Sequence, residues 1–297
     1  MSPKLLLIAC LHFILVGCAT VLTKTPSDSN EPGQFRKPQA TKVVLVILEN
    51  TNADTAHDPK FPFLWRLAKE GAYLSNYYAI AHPSQPNYVA LVSGSTKDVN
   101  GDSPSRLRRA HLGQKLPSWM SYAEGYLSGT CNTDPTIGPY VRRHEPFLSF
   151  ADVQDDKELC LNHVTGFDEF IATAHAHRLP SFSLVIPNLN HDAHDKPLRD
   201  ADAWLEEQFG PLLDDAEFKR DVLLIVTFDE NGARWPYLNQ SNNRVYTVLW
   251  GSDVIPGSDV NTVYDHYDLL RTIEAIFDLS PMSTEDAKAH AIGGVWR

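Results

Sequence analysis

Residues 41–50, TKVVLVILEN, form an unbroken apolar run rich in β-branched side chains that stops at a carboxylate and an amide. That is the pattern of a strand covered on both faces, as in the middle of a parallel sheet. Residues 222–232, VLLIVTFDENG, repeat it and stop at Asp229 and Glu230. Ser181 to Ile186 and Val245 to Gly251 read as further strands, and Tyr73 to Tyr78 as a short one. Between them lie stretches of helical spacing: Pro62 to Ala72, Phe167 to Arg178, Asp202 to Leu213 and Asp268 to Phe277, with Leu116 to Ala123 as a short helix. Strands alternating with helices and no internal repeat predict one α/β domain, a mostly parallel central sheet sandwiched between helices. In such sheets ligands gather beyond the carboxyl ends of the strands, which makes Glu49, Asn50, Asp229 and Glu230 functional candidates.

A second stretch carries a candidate nucleophile. In AHPSQPNYVALVSG, residues 81–94, Pro83 and Pro86 are expected to exclude regular structure before Asn87, after which Tyr88 to Val92 have helical spacing and Gly94 ends the helix. Ser84 then sits at the lip of a helix N-terminus, where unpaired N–H groups and the helix dipole suit a phosphate. The alternative is a proline-rich turn in which Ser84 and Asn87 only cap the helix. Beyond the strand at Ser181 to Ile186 comes PNLNHDAHD, residues 187–195, with His191, Asp192, His194 and Asp195 close together. His266 opens another helix, and Tyr140, Arg142, Arg143 and His144 form either a cationic contact to phosphate or a solvated basic patch. Carboxylates gathered at strand ends need neutralising, and a hard divalent cation with oxygen ligands is the economical solution.

The chain has 297 residues, 43% of them hydrophobic and 21% charged, with a net charge of −11. The acidic balance argues against nucleic acid as a partner. Lys4 followed by the apolar run Leu5 to Val16 has the form of a signal peptide, so residues 1–18 predict export to the periplasm, the cell surface or the medium. Leu15-Val16-Gly17-Cys18 looks like a bacterial lipobox, which would acylate Cys18 and make a lipid anchor the chain's only link to a membrane; the alternative is simple cleavage near Ala19. Residues 19–40 read as a flexible tether and residues 41–297 as the catalytic domain, with the chain beyond Leu279 peripheral. With Cys10 and Cys18 in the leader, Cys131 and Cys160 remain as a pair that an oxidising compartment would join, at about 3 kcal/mol of stabilisation, or as two buried thiols.

The ordered set VILEN (46–50), HPSQPNYVALVSG (82–94), PNLNHDAHD (187–195), DAWL (202–205), TFDENG (227–232) and DHYDLLRTIEAIFDL (265–279) resembles the phosphoesterase family of secreted acid phosphatases and bacterial phospholipases C, within the alkaline phosphatase superfamily. YVRRHEPF (140–147), flanked by Cys131 and Cys160, looks like the phosphatase-type members. The resemblance implies a fold like that of alkaline phosphatase, a metal held by Glu49, Asn50, Asp229 and Glu230, Ser84 as nucleophile with Asn87 beside it, and His194, Asp195 and His266 around the phosphoryl group. His82 and His191 are assigned to substrate binding, although His191 stands where many relatives have Asn. Thr51-Asn52 departs from the continuation common among the phospholipases. The expected function is metal-dependent hydrolysis of a small phosphate ester through a phosphoserine. Protonated His194 and His266 would place the optimum on the acidic side of neutral. A phospholipase C-type diesterase and a non-catalytic phosphate-binding lipoprotein are the alternatives; residues 97–109 and 129–156 show no obvious apolar approach for lipid chains.

Overall fold

The computed structural model describes residues 33–99, 101–232 and 242–297. The expected signal peptide with Cys18, and the first part of the tether, lie outside the described residues. Val43 to Leu48 have no solvent exposure, as a strand with both faces covered requires. This strand, β1 (Lys42–Leu48), is central to an eight-stranded sheet. In chain order there follow α1 (Pro62–Glu70), β2 (Ala72–Leu74), α2 (Ser84–Ser93), β3 (Trp119–Ala123), β4 (Val164–Gly166), α3 (Phe167–His175), β5 (Phe182–Ile186), α4 (Leu198–Leu213), β6 (Val222–Phe228), β7 (Thr247–Trp250), β8 (Ser258–Val260) and α5 (His266–Ile276). The sheet runs β8-β2-β7-β6-β1-β5-β3-β4. Only β7 is antiparallel to its neighbours, β6 and β2. Helix α1 packs on α4 and α2 on α5. The α/β sandwich with a mostly parallel sheet is therefore the observed architecture.

Several local expectations change. Leu116 to Ala123 is not a helix: its apolar residues at 116, 119, 120 and 123 imitate helical spacing, but Trp119–Ala123 pairs in parallel with both β5 and β4. Pairing between two strands overrides a weak periodicity. Tyr73 to Tyr78 divides, Ala72–Leu74 entering the main sheet while Tyr77–Tyr78 pairs with Tyr264–Asp265. The helix begins at Ser84, with Pro83 as N-cap, so Pro86 lies in its first turn, where a missing N–H costs nothing. Residues 33–40 are docked rather than loose. Phe35 meets Trp296 edge-on at 5.8 Å, and the N–H groups of Gln39 and Ala40 donate to Asp253 at 3.0 and 2.9 Å. The chain beyond Leu279 is not peripheral either, since Ile292, Val295 and Trp296 are in the core. Cys131 and Cys160 are joined, with their Cα atoms 5.7 Å apart.

Candidate active site

The site grows out of the register between β1 and β6. Leu48 pairs with Phe228, so the next residues, Glu49 and Asp229, leave the sheet side by side at its carboxyl edge. The Asp229 N–H donates to the Leu48 carbonyl at 2.9 Å, prolonging the ladder, while the Asn50 N–H turns back onto Asp229 Oδ1 at 3.1 Å. Asn50 takes φ 48°, a left-handed conformation that Asn tolerates better than most residues. The Glu49 N–H donates to the Asp192 carbonyl at 2.7 Å, which draws the loop after β5 onto the same edge. Glu49, Asp192 and Asp229 are all fully buried.

Helix α2 closes the site. Ser84 is its first residue and donates to Glu49 Oε2 at 3.1 Å. One turn on, the Tyr88 hydroxyl donates to Glu49 Oε1 at 2.8 Å, and its ring lies parallel to His144 with centroids 5.0 Å apart. His144 places Nε2 3.1 Å from Glu49 Oε1 and Nδ1 3.6 Å from Asp192 Oδ2, neither aligned as a hydrogen bond. Of the basic group at 140–144, His144 thus lies inside the site. Arg142 is also buried and donates to the carbonyls of Ser105 and Leu148, so neither residue belongs to a solvated patch.

Burial dominates the electrostatics, with charge crowding second. Burial, then the neighbouring Asp229 and Asp192 carboxylates, push the Glu49 carboxyl well above its ordinary range. Burial and Glu230 do the same to Asp229. Asp192 is raised chiefly by burial. His144 moves the other way, held neutral by burial and then by the adjacent charges of Arg143 and His194.

The other histidines divide into distinct roles. His194 is partly exposed and pairs through Nδ1 with Asp195 at 2.7 Å, its ring 6.2 Å from that of His144. His82 meets Glu230 Oε2 through Nδ1 at 2.5 Å. His191 is held by Glu124 at 2.8 Å, outside the buried cluster. His266 departs from its expected role as a proton donor. It is fully buried, with Nδ1 2.9 Å from the Tyr77 hydroxyl and Nε2 2.8 Å from the Asp229 carbonyl, and burial lowers its pKa to about 4. Both nitrogens are committed and the ring is neutral, so His266 positions Asp229. Asn87 is likewise spent on structure: its Oδ1 accepts from the N–H groups of Ile80 and Ala81 at 3.1 and 3.0 Å, and its Nδ2 donates to the Ala81 carbonyl at 2.9 Å. It shapes the loop before Ser84.

The phosphoesterase family model matches residues 54–280. The chain belongs to the phosphoesterase family. It is 31% identical over 263 residues to a probable acid phosphatase of Kluyveromyces lactis, covering 84% of this chain and 61% of that protein. It is 33% identical to the phosphate-repressible acid phosphatase of Penicillium chrysogenum, covering 84% of this chain and 62% of the relative. Against the phosphatidylinositol-3-phosphatase of Mycobacterium tuberculosis it is 32% identical, covering 87% of this chain and 84% of the relative. The chain therefore spans about three fifths of the length of the two fungal relatives. Its fold is that of the alkaline phosphatase superfamily: a superfamily member from Vibrio parahaemolyticus superposes with a TM-score of 0.58 at 14% identity, covering 88% of this chain and 71% of that one. A phosphonate monoester hydrolase from Silicibacter pomeroyi superposes with a TM-score of 0.56 at 13% identity, covering 84% and 75%.

The residues of this phosphoesterase fit a hard cation. Oδ2 of Asp192 and Oδ2 of Asp229 are buried without a hydrogen-bond partner, and buried carboxylates this close together repel one another unless a positive charge stands among them. Among the described residues no three His, Cys, Asp or Glu side chains stand grouped as they would be to hold a metal ion. Of the expected ligands, Glu49 and Asp229 are in the cluster, the Asn50 amide donates to Glu49 Oε2 at 2.9 Å, and Glu230 faces His82. Sequence reasoning left Asp192, Tyr88 and His144 out of the site. Asp192 lay within a recognised polar loop, and Tyr88 was detectable by its one-turn spacing from Ser84. His144 stood in a basic group readable either as a phosphate contact or as a solvated patch, and only tertiary folding, which brings residues 142–144 against α2, decides between them.

Proposed function

We propose that this phosphoesterase is a metal-dependent acid phosphatase, exported from the cell, that hydrolyses phosphomonoesters through a phosphoserine on Ser84. The observation that carries the reading is the placement of Ser84 at the start of a ten-residue helix with its hydroxyl directed at a buried carboxylate cluster. In that first turn Pro86 has no N–H and the Gln85 N–H donates to Asp102 at 3.1 Å, which leaves the Ser84 N–H to meet a phosphoryl oxygen. A divalent cation held by Glu49 and Asp229, with Asp192 and Asn50 beside them, would supply charge neutralisation and lower the hydroxyl's pKa.

The chain's own residues define the rest. The Ser84 hydroxyl gives up its proton along its hydrogen bond toward the carboxylates as Oγ forms a bond to phosphorus and the ester P–O bond breaks. His194, oriented by Asp195, gives a proton to the departing alcohol. It then takes one from the water that attacks the phosphoserine, releasing phosphate and restoring the serine. Tyr88, backed by the ring of His144, holds Glu49 in place, and His266 holds the Asp229 backbone. A diesterase acting on lipid finds less support. The large exposed apolar side chains among the described residues, Leu127, Ile255 and Val263, come from three separate segments. Export rests on the leader sequence.

The test is Ser84→Ala assayed by phosphate release from a phosphomonoester. Turnover should fall by at least ~10³-fold while the circular dichroism and melting temperature stay near wild type. Substantial remaining turnover in a folded variant would place the nucleophile elsewhere.

A further inference from the structure

The protein carries an open groove of about 790 Å³, within the ~300–1,000 Å³ range of small-molecule sites. One wall is the loop after β5, through Asn190 and His191, and the other is α4, through Trp204, Glu207 and Gln208. The groove shares that loop with the buried site, since one and three residues beyond His191 the loop supplies Asp192 and His194. A group leaving the phosphorus on the His194 side would enter it.

We infer that this groove is the leaving-group subsite and that it takes a polyhydroxylated alcohol, a sugar or polyol; the inference rests on the phosphatase reading above. Its entrance is built. Glu124 accepts from His191 Nδ1 at 2.8 Å and from the Asn188 N–H at 3.0 Å, which fixes the loop and leaves His191 Nε2 to face a ligand. Trp204 lies nearly parallel to the imidazole, with centroids 5.9 Å apart and planes 15° apart. Along the floor and rim, Lys196, Glu207 and Gln208 offer donors and acceptors at several heights. Such a lining matches a chain of hydroxyl groups, each of which both donates and accepts. Acyl chains have little to meet there, since Ala203 and Trp204 are the apolar members of the lining. A second phosphate is disfavoured because the carboxylates Glu124, Asp200 and Glu207 outnumber Lys196.

The experiment compares kcat/KM for glucose 6-phosphate and phenyl phosphate in the wild type and in Glu207→Ala/Gln208→Ala. Each lost hydrogen bond to a hydroxyl is worth up to about tenfold. The glucose 6-phosphate to phenyl phosphate ratio should therefore fall at least fivefold. An unchanged ratio overturns the assignment. Dibutanoyl phosphatidylinositol 3-phosphate as a third substrate separates the sources: a fall for glucose 6-phosphate alone assigns the groove to a soluble polyol ester, and an equal fall for both assigns it to a polyol headgroup as well. Calorimetric binding of glucose 6-phosphate to Ser84→Ala, with and without the two groove substitutions, gives a readout that needs no turnover. Binding should weaken at least fivefold, and equal affinities overturn the groove. Absence of wild-type turnover on all three esters would sink the phosphatase reading instead, leaving the calorimetry to judge the groove.

Discussion

His194 and His266 carry the same imidazole and meet opposite surroundings. His266 is buried between Tyr77 and the Asp229 carbonyl and is held neutral, whereas His194 stands partly exposed on a loop beside Asp195. Only the second can exchange protons with a substrate and with water. His194→Gln should therefore lower kcat by about 10²–10⁴-fold for alkyl phosphates and much less for p-nitrophenyl phosphate, whose leaving group needs no proton. Equal losses on both substrates would remove His194 as the acid. His266→Gln can still donate to the Asp229 carbonyl and accept from Tyr77. It should keep the shape of the pH profile and cost mainly stability, on the order of 1 kcal/mol. A pH limb lost in that variant would return His266 to the proton-transfer step. Both histidines were conspicuous as residue types, but neither spacing nor composition says which imidazole is wet.

At the level of elements, two strand ends and one helix start make the site. The in-register pairing of β1 with β6 delivers Glu49 and Asp229 together, and the one-turn spacing of α2 delivers Ser84 and Tyr88 to the two oxygens of Glu49. Glu49→Ala and Asp229→Ala should each lose bound metal by more than about tenfold in affinity and lose phosphatase activity with it. Elemental analysis of dialysed protein checks this, and full occupancy in either variant would reject the ligand set. Chelation of the wild type should have the same effect on activity and should be reversed by adding back a divalent ion. The strand ends were readable from apolar runs that stop at carboxylates. The Trp119–Ala123 strand was not, because its apolar spacing fits a helix and only its two neighbours select the extended form.

Over the whole molecule, the C-terminal segment closes onto the helix that carries Ser84. Asp286 accepts from the N–H groups of Met282 and Ser283 at 2.8 and 2.7 Å and lies against Gly94, the left-handed C-cap of α2, where a Cβ would stand 2.7 Å from its carboxyl carbon. Glu274 on α5 faces it. Burial, with the Asp286 carboxylate next, raises the Glu274 pKa from 4.5 to about 8, against the pull of Arg271 at 3.2 Å. An acid whose folded pKa is raised is favoured protonated in the native state. Its stabilisation is complete below pH 4.5 and is lost as pH climbs from there through about 8. Glu274→Gln should thus melt near the wild type at pH 5 and about 3–6 °C higher at pH 8 by calorimetry. A pH-independent difference would refute the buried acid. The sequence by itself determined the fold class, the strand ends that bear carboxylates and the serine at a helix start, because these depend on hydrophobic period and on chain breakers acting locally. Tertiary structure alone decided that Asp192, Tyr88 and His144 surround Glu49, that His266 and Asn87 serve the backbone, and that Ala40, Ile292, Val295 and Trp296 belong to the core. Those outcomes depend on desolvation and on contacts between segments far apart in the chain, which no local pattern encodes.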